Sequence, residues 1–309
     1  MELIYNVVKK GVLMDKKRKS VLVPILFFDY YNYSLELSEI KRYLWQENLS
    51  DAEIKEVLNN CKGIKHQHDL FGYKKVYDNR EEKDKIARYL WGVVKKRRWV
   101  FSLVPFLSQV FVCNSMPSGN VHKNSDIDLF IVGENNHLWT LRAFLLVWLN
   151  LFGWRVRSLD KFAKFSPELF VSKNNLDLQP IQIENDYYLP WWIADLVSIW
   201  PDNQTNLIKE HNLWVKNNFP VAWDNPKVKN YRRLNVFGVT KLIEKILSGK
   251  LGERIEKIVK DRQLKIIEKT KERIGVNSVL QTKDNIIKLH FNDSRYQVRD
   301  YIDEELSKI

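Results

Sequence analysis

Two aspartates stand one residue apart inside an apolar run. Residues 126–132 read DIDLFIV, so Asp126 and Asp128 alternate with Ile127 and Leu129. Residues i and i+2 of a strand point to the same face, with about 6.5–7 Å between their Cα atoms. Two carboxylates about 4 Å apart repel by about 4 kcal/mol at an effective dielectric constant of about 20. A divalent cation such as Mg²⁺, or Mn²⁺ in its place, would convert this cost into a ligand pair. The plain alternative is a strand end where both aspartates face water.

The segment before these aspartates offers groups that suit phosphate. Ser115 ends a predicted strand over 109–115, and the ten residues 116–125 form a polar loop with proline and glycine. Hydroxyl and backbone N–H groups in such a turn are suited to the triphosphate of a nucleotide. A nucleotide site is therefore the alternative to a bare strand end.

This arrangement resembles the DNA polymerase β-like nucleotidyltransferase superfamily. The signature of that superfamily is a Gly-Ser pair, about ten residues, and then Asp-x-Asp or Asp-x-Glu with apolar flanks. The chain has Asn114-Ser115, residues 116–125, and Asp126-Ile127-Asp128. Asn114 replaces the glycine of the family, and asparagine is the next best residue for a left-handed backbone conformation.

The resemblance implies metal-assisted attack of a hydroxyl on the α-phosphate of an NTP such as ATP, with pyrophosphate leaving. Asp126 and Asp128 would hold Mg²⁺ and act in catalysis. The nucleotide would contact a set of four polar residues in the turn and loop, namely Asn114, Ser115, Lys123 and Ser125. Lys123 would offset phosphate charge, although a solvated loop is the alternative reading of that residue.

The family usually adds a third carboxylate from a later strand. Glu168 in SPELFV and Asp177 in NNLDLQ are the two candidates, and Glu168 is favoured because its flanks are more strand-like. If neither reaches the pair, the site would bind a nucleotide without turning it over. Arg142, inside an apolar helical segment, needs a partner. That partner is a site carboxylate, a phosphate or a structural salt bridge.

The elements around the motif predict an α+β fold in three parts. Residues 1–98 are expected to form a winged helix-turn-helix with a hairpin over 62–78 and a connecting helix over 79–98, and the Ser50–Glu53 capping box starts one of its helices. Residues 99–185 are expected to form a nucleotidyltransferase-like domain with a mixed sheet, a helix over 99–108 and an apolar helix over 137–153. Residues 186–309 are expected to be mostly helical. The second helix of the turn carries three acidic residues and one lysine, so it is a poor reader of DNA.

The composition of the chain bounds its partners. The chain has 309 residues, 50 of them basic and 38 acidic, which gives a net charge of +12 and favours polyanionic partners such as nucleotides or nucleic acid. Its two cysteines lack disulfide or zinc spacing, and no segment resembles a signal peptide, so a cytoplasmic setting is expected. The two most apolar segments contain proline or arginine and fall short of a membrane span, so no membrane partner is expected.

Two functions remain open on the sequence alone. The first is an Mg²⁺-dependent nucleotidyltransferase that moves an NMP from an NTP to a hydroxyl of a nucleic acid, a protein or a small molecule. The second is a catalytically inactive module of the same fold that binds nucleic acid or protein as a regulator. The sequence does not indicate the oligomeric state.

Overall fold

The side chains of two central strands alternate between two apolar cores. Val110 and Val112 contact one core, whereas Phe111 and Cys113 contact the other. Because successive residues of a strand point to opposite faces, this sheet buries both of its faces. Helices must therefore cover it on each side.

The structure is a computed structural model that describes residues 2–157, 160–201, 206–274, 281–283, 285–288 and 293–309. It is a mixed α+β protein, as the sequence predicts. None of the helices within these ranges is both long enough and apolar enough to cross a membrane.

The N-terminal unit combines three helices with a three-stranded sheet of order β1-β3-β2. Its elements are α1 (Glu2–Tyr30), β1 (Leu35–Glu36), α2 (Leu37–Arg42), α3 (Asp51–Asn60), β2 (Ile64–Gln67) and β3 (Leu70–Tyr73). The predicted capping box is confirmed, because Ser50 and Glu53 each accept a hydrogen bond from the backbone N–H of the other. The predicted hairpin is also present. That this unit is a winged helix stays a prediction.

A six-stranded sheet of order β7-β4-β5-β6-β9-β8 forms the middle of the molecule. Its strands are β4 (Leu107–Val112), β5 (Ile127–Gly133), β6 (Phe165–Ser172), β7 (Val197–Trp200), β8 (Gln281–Lys283) and β9 (Ile286–Lys288). Only β5 and β6 pair in parallel, and the other described pairs are antiparallel. A parallel pair needs a crossover connection, and α6 (Leu138–Leu151) lies between these strands in the chain.

The sheet takes strands from both sides of residue 185, where the sequence analysis placed a domain boundary. Strands β7 and β9 pair with β4 and β6, so residues 186–309 supply part of the sheet as well as helices. Short strands among helices carry a weak periodic signal, which explains why the sequence predicted mostly helix there.

Helices cover the sheet on both sides. The connecting helix is α4 (Arg80–Arg97), close to the predicted 79–98. The segment expected to be a helix over 99–108 is instead a short 3-10 helix, Arg98–Leu103, that leads into β4. The remaining helices are α5 (Ser115–Ser118), α7 (Tyr188–Ala194), α8 (Leu207–His211), α9 (Pro220–Asp224), α10 (Gly238–Leu247), α11 (Lys250–Ile274) and α12 (Arg295–Lys308), with 3-10 turns at Gln179–Ile181 and Leu213–Asn217.

The burial of Leu129 in β5 predicts a large contribution of this side chain to stability. Leu129 is fully buried, so Leu129→Ala is expected to lower the free energy of unfolding by about 2–5 kcal/mol in urea titrations. The control is Leu151→Ala, at a leucine that is 67% exposed, which should change it by about 0.5 kcal/mol or less. Equal losses in the two variants would contradict the placement of β5 in the core.

Candidate active site

The two aspartates of the motif lie at the start of β5. Asp126 directly precedes the strand, and Asp128 is its second residue. The backbone here is held on both sides, since the N–H of Cys113 donates to the carbonyl of Asp128 at 3.1 Å and the N–H of Ile127 donates to Lys164 at 2.8 Å. The flanking strands β4 and β6 therefore fix where both carboxylates emerge.

Both aspartates and Glu168 line one cavity of about 510 Å³. Its remaining lining comes from the turn after β4, from α1 and from the C-terminal half of the chain: Phe27, Phe28, Tyr31, Asn114, Ser115, Ser118, Asn120, Lys161, Tyr188, Trp191 and Ser294. Protein sites for small ligands commonly enclose about 300–1,000 Å³. The cavity has the size of a ligand site.

Glu168 reaches this cavity from a bulge in β6. Leu129 pairs with Pro167, but the next residue, Phe130, pairs with Leu169. Glu168 is therefore the extra residue of β6 at the point where the ladder shifts, and a bulge of this kind redirects a side chain. Asp177, the other candidate for the third carboxylate, is exposed and accepts a hydrogen bond from the N–H of Gln179 at 2.9 Å.

The cavity concentrates negative charge in a partly dry environment. Burial raises the pKa of Asp128 well above its usual range, and the charges of Glu168 and Asp126 raise it further. Burial also raises the pKa of Asp126, with Glu168 adding to the effect and Lys161 opposing it. Desolvation disfavours the charged form of a carboxyl group, and so does a like charge nearby. A cation bound among these groups would remove both costs.

Asn114 holds the turn that faces the aspartates. Its backbone has φ 60° and ψ −132°, the conformation of the first central residue of a type II′ turn, where glycine is preferred. Its side-chain oxygen accepts from Trp192 Nε1 at 2.8 Å and from the Tyr188 hydroxyl at 3.2 Å. The same side chain hydrogen-bonds to the Asp128 carboxylate. These contacts offset the backbone strain that glycine would avoid.

The predicted nucleotide-binding residues separate into two groups. Asn114 and Ser115 line the cavity. Lys123 is not among the lining residues, and its ammonium group pairs with Glu82 at 2.9 Å in an exposed position. Ser125 is buried, and its hydroxyl accepts from the N–H of His122 at 2.9 Å, which closes the local turn. Lys123 and Ser125 therefore lie outside the cavity lining and make local contacts, and their contact with a nucleotide stays a prediction.

Lys161 is the cation that the sequence analysis missed. It lines the cavity, its side chain is exposed, and its charge lowers the pKa of both aspartates. It lies in the loop before β6, far from the motif in sequence, and only the parallel pairing of β5 with β6 brings the two together. No motif or spacing near Lys161 in the sequence predicts that it lines the cavity.

Arg142 serves another element. Its guanidinium donates to Gln263 of α11 and lies over the Phe170 ring at 5.8 Å, and burial lowers its pKa to about 10. Among the described residues it has no carboxylate partner, so the expected pairing with a site carboxylate or a salt bridge is wrong. Arg142 instead joins α6 to α11.

The donor set suits a hard divalent cation. In the described parts of the chain, no group of three or more histidine, cysteine, aspartate or glutamate side chains is close enough to hold a metal by itself. Mg²⁺ does not require such a group, because it is usually bound by one or two carboxylates together with water and substrate phosphates. Asp126 and Asp128 fit that requirement, with Glu168 lining the same cavity.

Comparisons of this chain with protein-family models, with curated proteins and with solved structures give no match.

Asp128→Asn tests the electrostatics of the metal-free cavity. The pKa of Asp128 is raised above its ordinary value of 3.8 in the folded protein. Between these two pKa values the folded protein binds more protons than the unfolded chain. The free energy of unfolding therefore falls as the pH rises through that range. We expect the variant to be more stable than the parent at neutral pH, by about 1–3 kcal/mol. Below about pH 4 the two should converge.

Urea unfolding with a chelator present, from about pH 4 to 8, measures this difference. Asp261→Asn, on an exposed position of α11, is the control and should shift stability by no more than about 0.5 kcal/mol at any pH. A loss of stability in Asp128→Asn at neutral pH would show that the carboxylate stabilises the fold.

The strained backbone and partly buried contacts of Asn114 predict how two substitutions change stability. Both Asn114→Gly and Asn114→Ala leave the Tyr188 and Trp192 donors unpaired, which costs about 1–3 kcal/mol. Alanine keeps the strained positive φ, so Asn114→Ala should be less stable than Asn114→Gly by about 1 kcal/mol in urea unfolding. Equal stability of the two variants would mean that the turn relaxes and carries no strain.

Proposed function

We propose that this chain is an Mg²⁺-dependent nucleotidyltransferase that moves an NMP from an NTP to a hydroxyl acceptor. The observation that carries the proposal is the meeting of Asp126, Asp128 and Glu168 in one cavity with the turn at Asn114-Ser115. The motif residues and the third acid come from separate elements, so their meeting is not a consequence of local sequence.

The turn at Asn114 supports the resemblance on which the proposal draws. The superfamily has glycine at this position, and the backbone of Asn114 adopts a conformation that glycine favours. The replacement therefore keeps the shape of the turn. Ser115, the next residue, lines the cavity, where its hydroxyl would contact the β- and γ-phosphates.

Asp126 and Asp128 would hold the metal, Mg²⁺ or Mn²⁺, through their carboxylate oxygens. When bound, the ion would neutralise phosphate charge and polarise the α-phosphate toward attack. Lys161, at the exposed side of the cavity, would add positive charge beside the phosphates. The raised pKa values of the aspartates favour a cation as their partner over solvent.

Glu168 would act as the base. Its carboxylate would take the proton of the acceptor hydroxyl as the acceptor oxygen bonds to the α-phosphorus. The bond from that phosphorus to the bridging oxygen of pyrophosphate breaks, and pyrophosphate leaves with the electron pair. Because Glu168 lies at a bulge of β6, its side chain can line the cavity.

The N-terminal unit contributes a wall of this cavity. Phe27 and Phe28 of α1 and Tyr31 just after it are among its lining residues, and the Asn120 amide donates to the Tyr31 carbonyl at 3.2 Å. If the unit is a winged helix, these contacts favour a structural role for it over DNA reading.

A second candidate is a module of this fold that binds a nucleotide without transferring it. Asn114 favours it, because its side chain occupies space beside the triphosphate that glycine would leave open. Transfer assays separate the two functions.

Transfer of label from α-³²P-NTPs with Mg²⁺ or Mn²⁺ tests the proposal. Asp126→Asn and Asp128→Asn are expected to abolish transfer, and Glu168→Gln to lower it by about 100-fold or more, the range of a lost general base. Asp177→Asn is the matched control and should keep the parent activity, since Asp177 lies outside the cavity.

Absence of transfer from all four NTPs, with nucleotide still bound in calorimetry, would favour the non-catalytic module. Full activity in Asp128→Asn would contradict both the metal pair and the proposed function.

A further inference from the structure

Exposed aromatic rings lie next to the mouth of the cavity. Lys161 lines the cavity, and the next residue, Phe162, stacks on Tyr89 of α4 with ring centroids 5.6 Å apart and planes 5° from parallel. Phe162 is 38% exposed and Tyr89 55% exposed. A flat stacked pair in water is a ready surface for a further aromatic group.

Arg97 extends this surface along the end of α4. Its guanidinium donates to the Ala163 carbonyl at 2.8 Å and lies over the Trp154 ring at 5.1 Å. Trp154 in turn contacts Trp99, which is 39% exposed. We call Lys161, Phe162, Tyr89, Arg97 and Trp154 the basic–aromatic strip.

Two arginines near the strip have no carboxylate partner within the described chain. No described carboxylate forms a salt bridge with Arg97 or with Arg155, which follows Trp154. Asp160, next to Lys161, pairs with Lys164 instead. Burial lowers the pKa of both guanidinium groups, and Arg157 adds repulsion at Arg155. Half-buried arginines without a carboxylate partner are suited to an anion from outside the protein.

Gly92 leaves room beside Tyr89. It lies three residues after Tyr89 on α4, hence on a neighbouring part of the same helix surface. A Cβ atom added there would meet no atom within 4 Å, so packing within the fold does not require glycine. Glycine in a helix interior costs about 1 kcal/mol relative to alanine, and close approach of a ligand would explain it.

We propose that the basic–aromatic strip binds single-stranded nucleic acid and leads its terminal hydroxyl into the cavity as the acceptor. The pattern of exposed rings between cations matches a strand whose bases stack while its phosphates meet arginine and lysine. A duplex keeps its bases paired and cannot use the rings. An acidic peptide would use the cations alone.

The role of the strand end as acceptor rests on the proposed transfer, whereas binding of the strand to the strip does not. In the transfer, the terminal hydroxyl oxygen of the strand bonds to the α-phosphorus of the NTP. The hydroxyl proton passes to Glu168, and pyrophosphate leaves. Lys161 belongs both to the strip and to the cavity, which places the end of the strand beside the carboxylates.

Fluorescence anisotropy with a labelled single-stranded RNA of about twelve nucleotides, without NTP, tests binding. Tyr89→Ala and Phe162→Ala should each weaken it by about tenfold or more, the effect of losing one stacked base. Arg97→Gln should lower the slope of log affinity against log salt by about one. Tyr296→Ala is the matched control, because that tyrosine is 47% exposed beside Arg299 on α12, a helix that contributes no residue to the strip.

Gly92→Gln separates binding from folding. It should raise the melting temperature, because glutamine is a better helix former, while it weakens RNA binding by filling the space beside Tyr89. Unchanged affinity in Gly92→Gln together with Tyr89→Ala would overturn the strip. Equal affinity for the same sequence as a duplex, or full competition by poly-glutamate, would also overturn it.

Transfer assays on the same RNA keep the two proposals apart. RNA binding that persists in Asp128→Asn, with no NMP transfer by the parent to any acceptor, would leave the strip in place and contradict the transferase. Transfer to other hydroxyls with no RNA binding would support the transferase and contradict the strip.

Discussion

Repulsion among Asp126, Asp128 and Glu168 is the interaction on which the site depends. Strand β5 is held between β4 and β6, so the backbone cannot carry the two aspartates apart without breaking ladder hydrogen bonds. The pKa of each aspartate is raised, chiefly by burial and also by Glu168. Lys161 opposes this effect from an exposed position, where water screens its charge. A ligand that brings its own cations, such as the metal-bound triphosphate that we propose, would remove this electrostatic cost.

A partly buried ion pair holds the turn that faces these carboxylates. Lys227 donates to the Pro117 carbonyl at 2.6 Å, within the turn that follows Ser115, and it pairs with Asp195 at 2.9 Å. Asp195 is 2% exposed and also accepts from the Tyr43 hydroxyl at 3.0 Å. Three distant parts of the chain thus meet behind the turn. Because an unpaired buried charge is costly, these partners constrain one another and keep the turn in place.

Local patterns in the sequence predicted the elements that carry strong periodicity or a capping signal. The strand predicted over 126–132 is β5, and the helix predicted over 137–153 is α6. The capping box at Ser50 starts α3 as expected. The helix predicted over 99–108 was wrong, because these residues form a 3-10 helix and the start of β4. A short apolar run fits a 3-10 helix, a strand or an α-helix equally well, so its pattern does not distinguish them.

The sequence alone determined the α+β class and the pair Asp126 and Asp128, because alternation in a strand sets which residues share a face. Glu168 was also favoured from its strand-like flanks. Only the tertiary structure decided that Glu168 and Lys161 line the cavity while Lys123 does not. Parallel pairing of β5 with β6 brings residues about forty positions apart to the same end of the sheet. No spacing within a single segment encodes that neighbourhood, since strand order and register are fixed by packing of the whole sheet between its two cores.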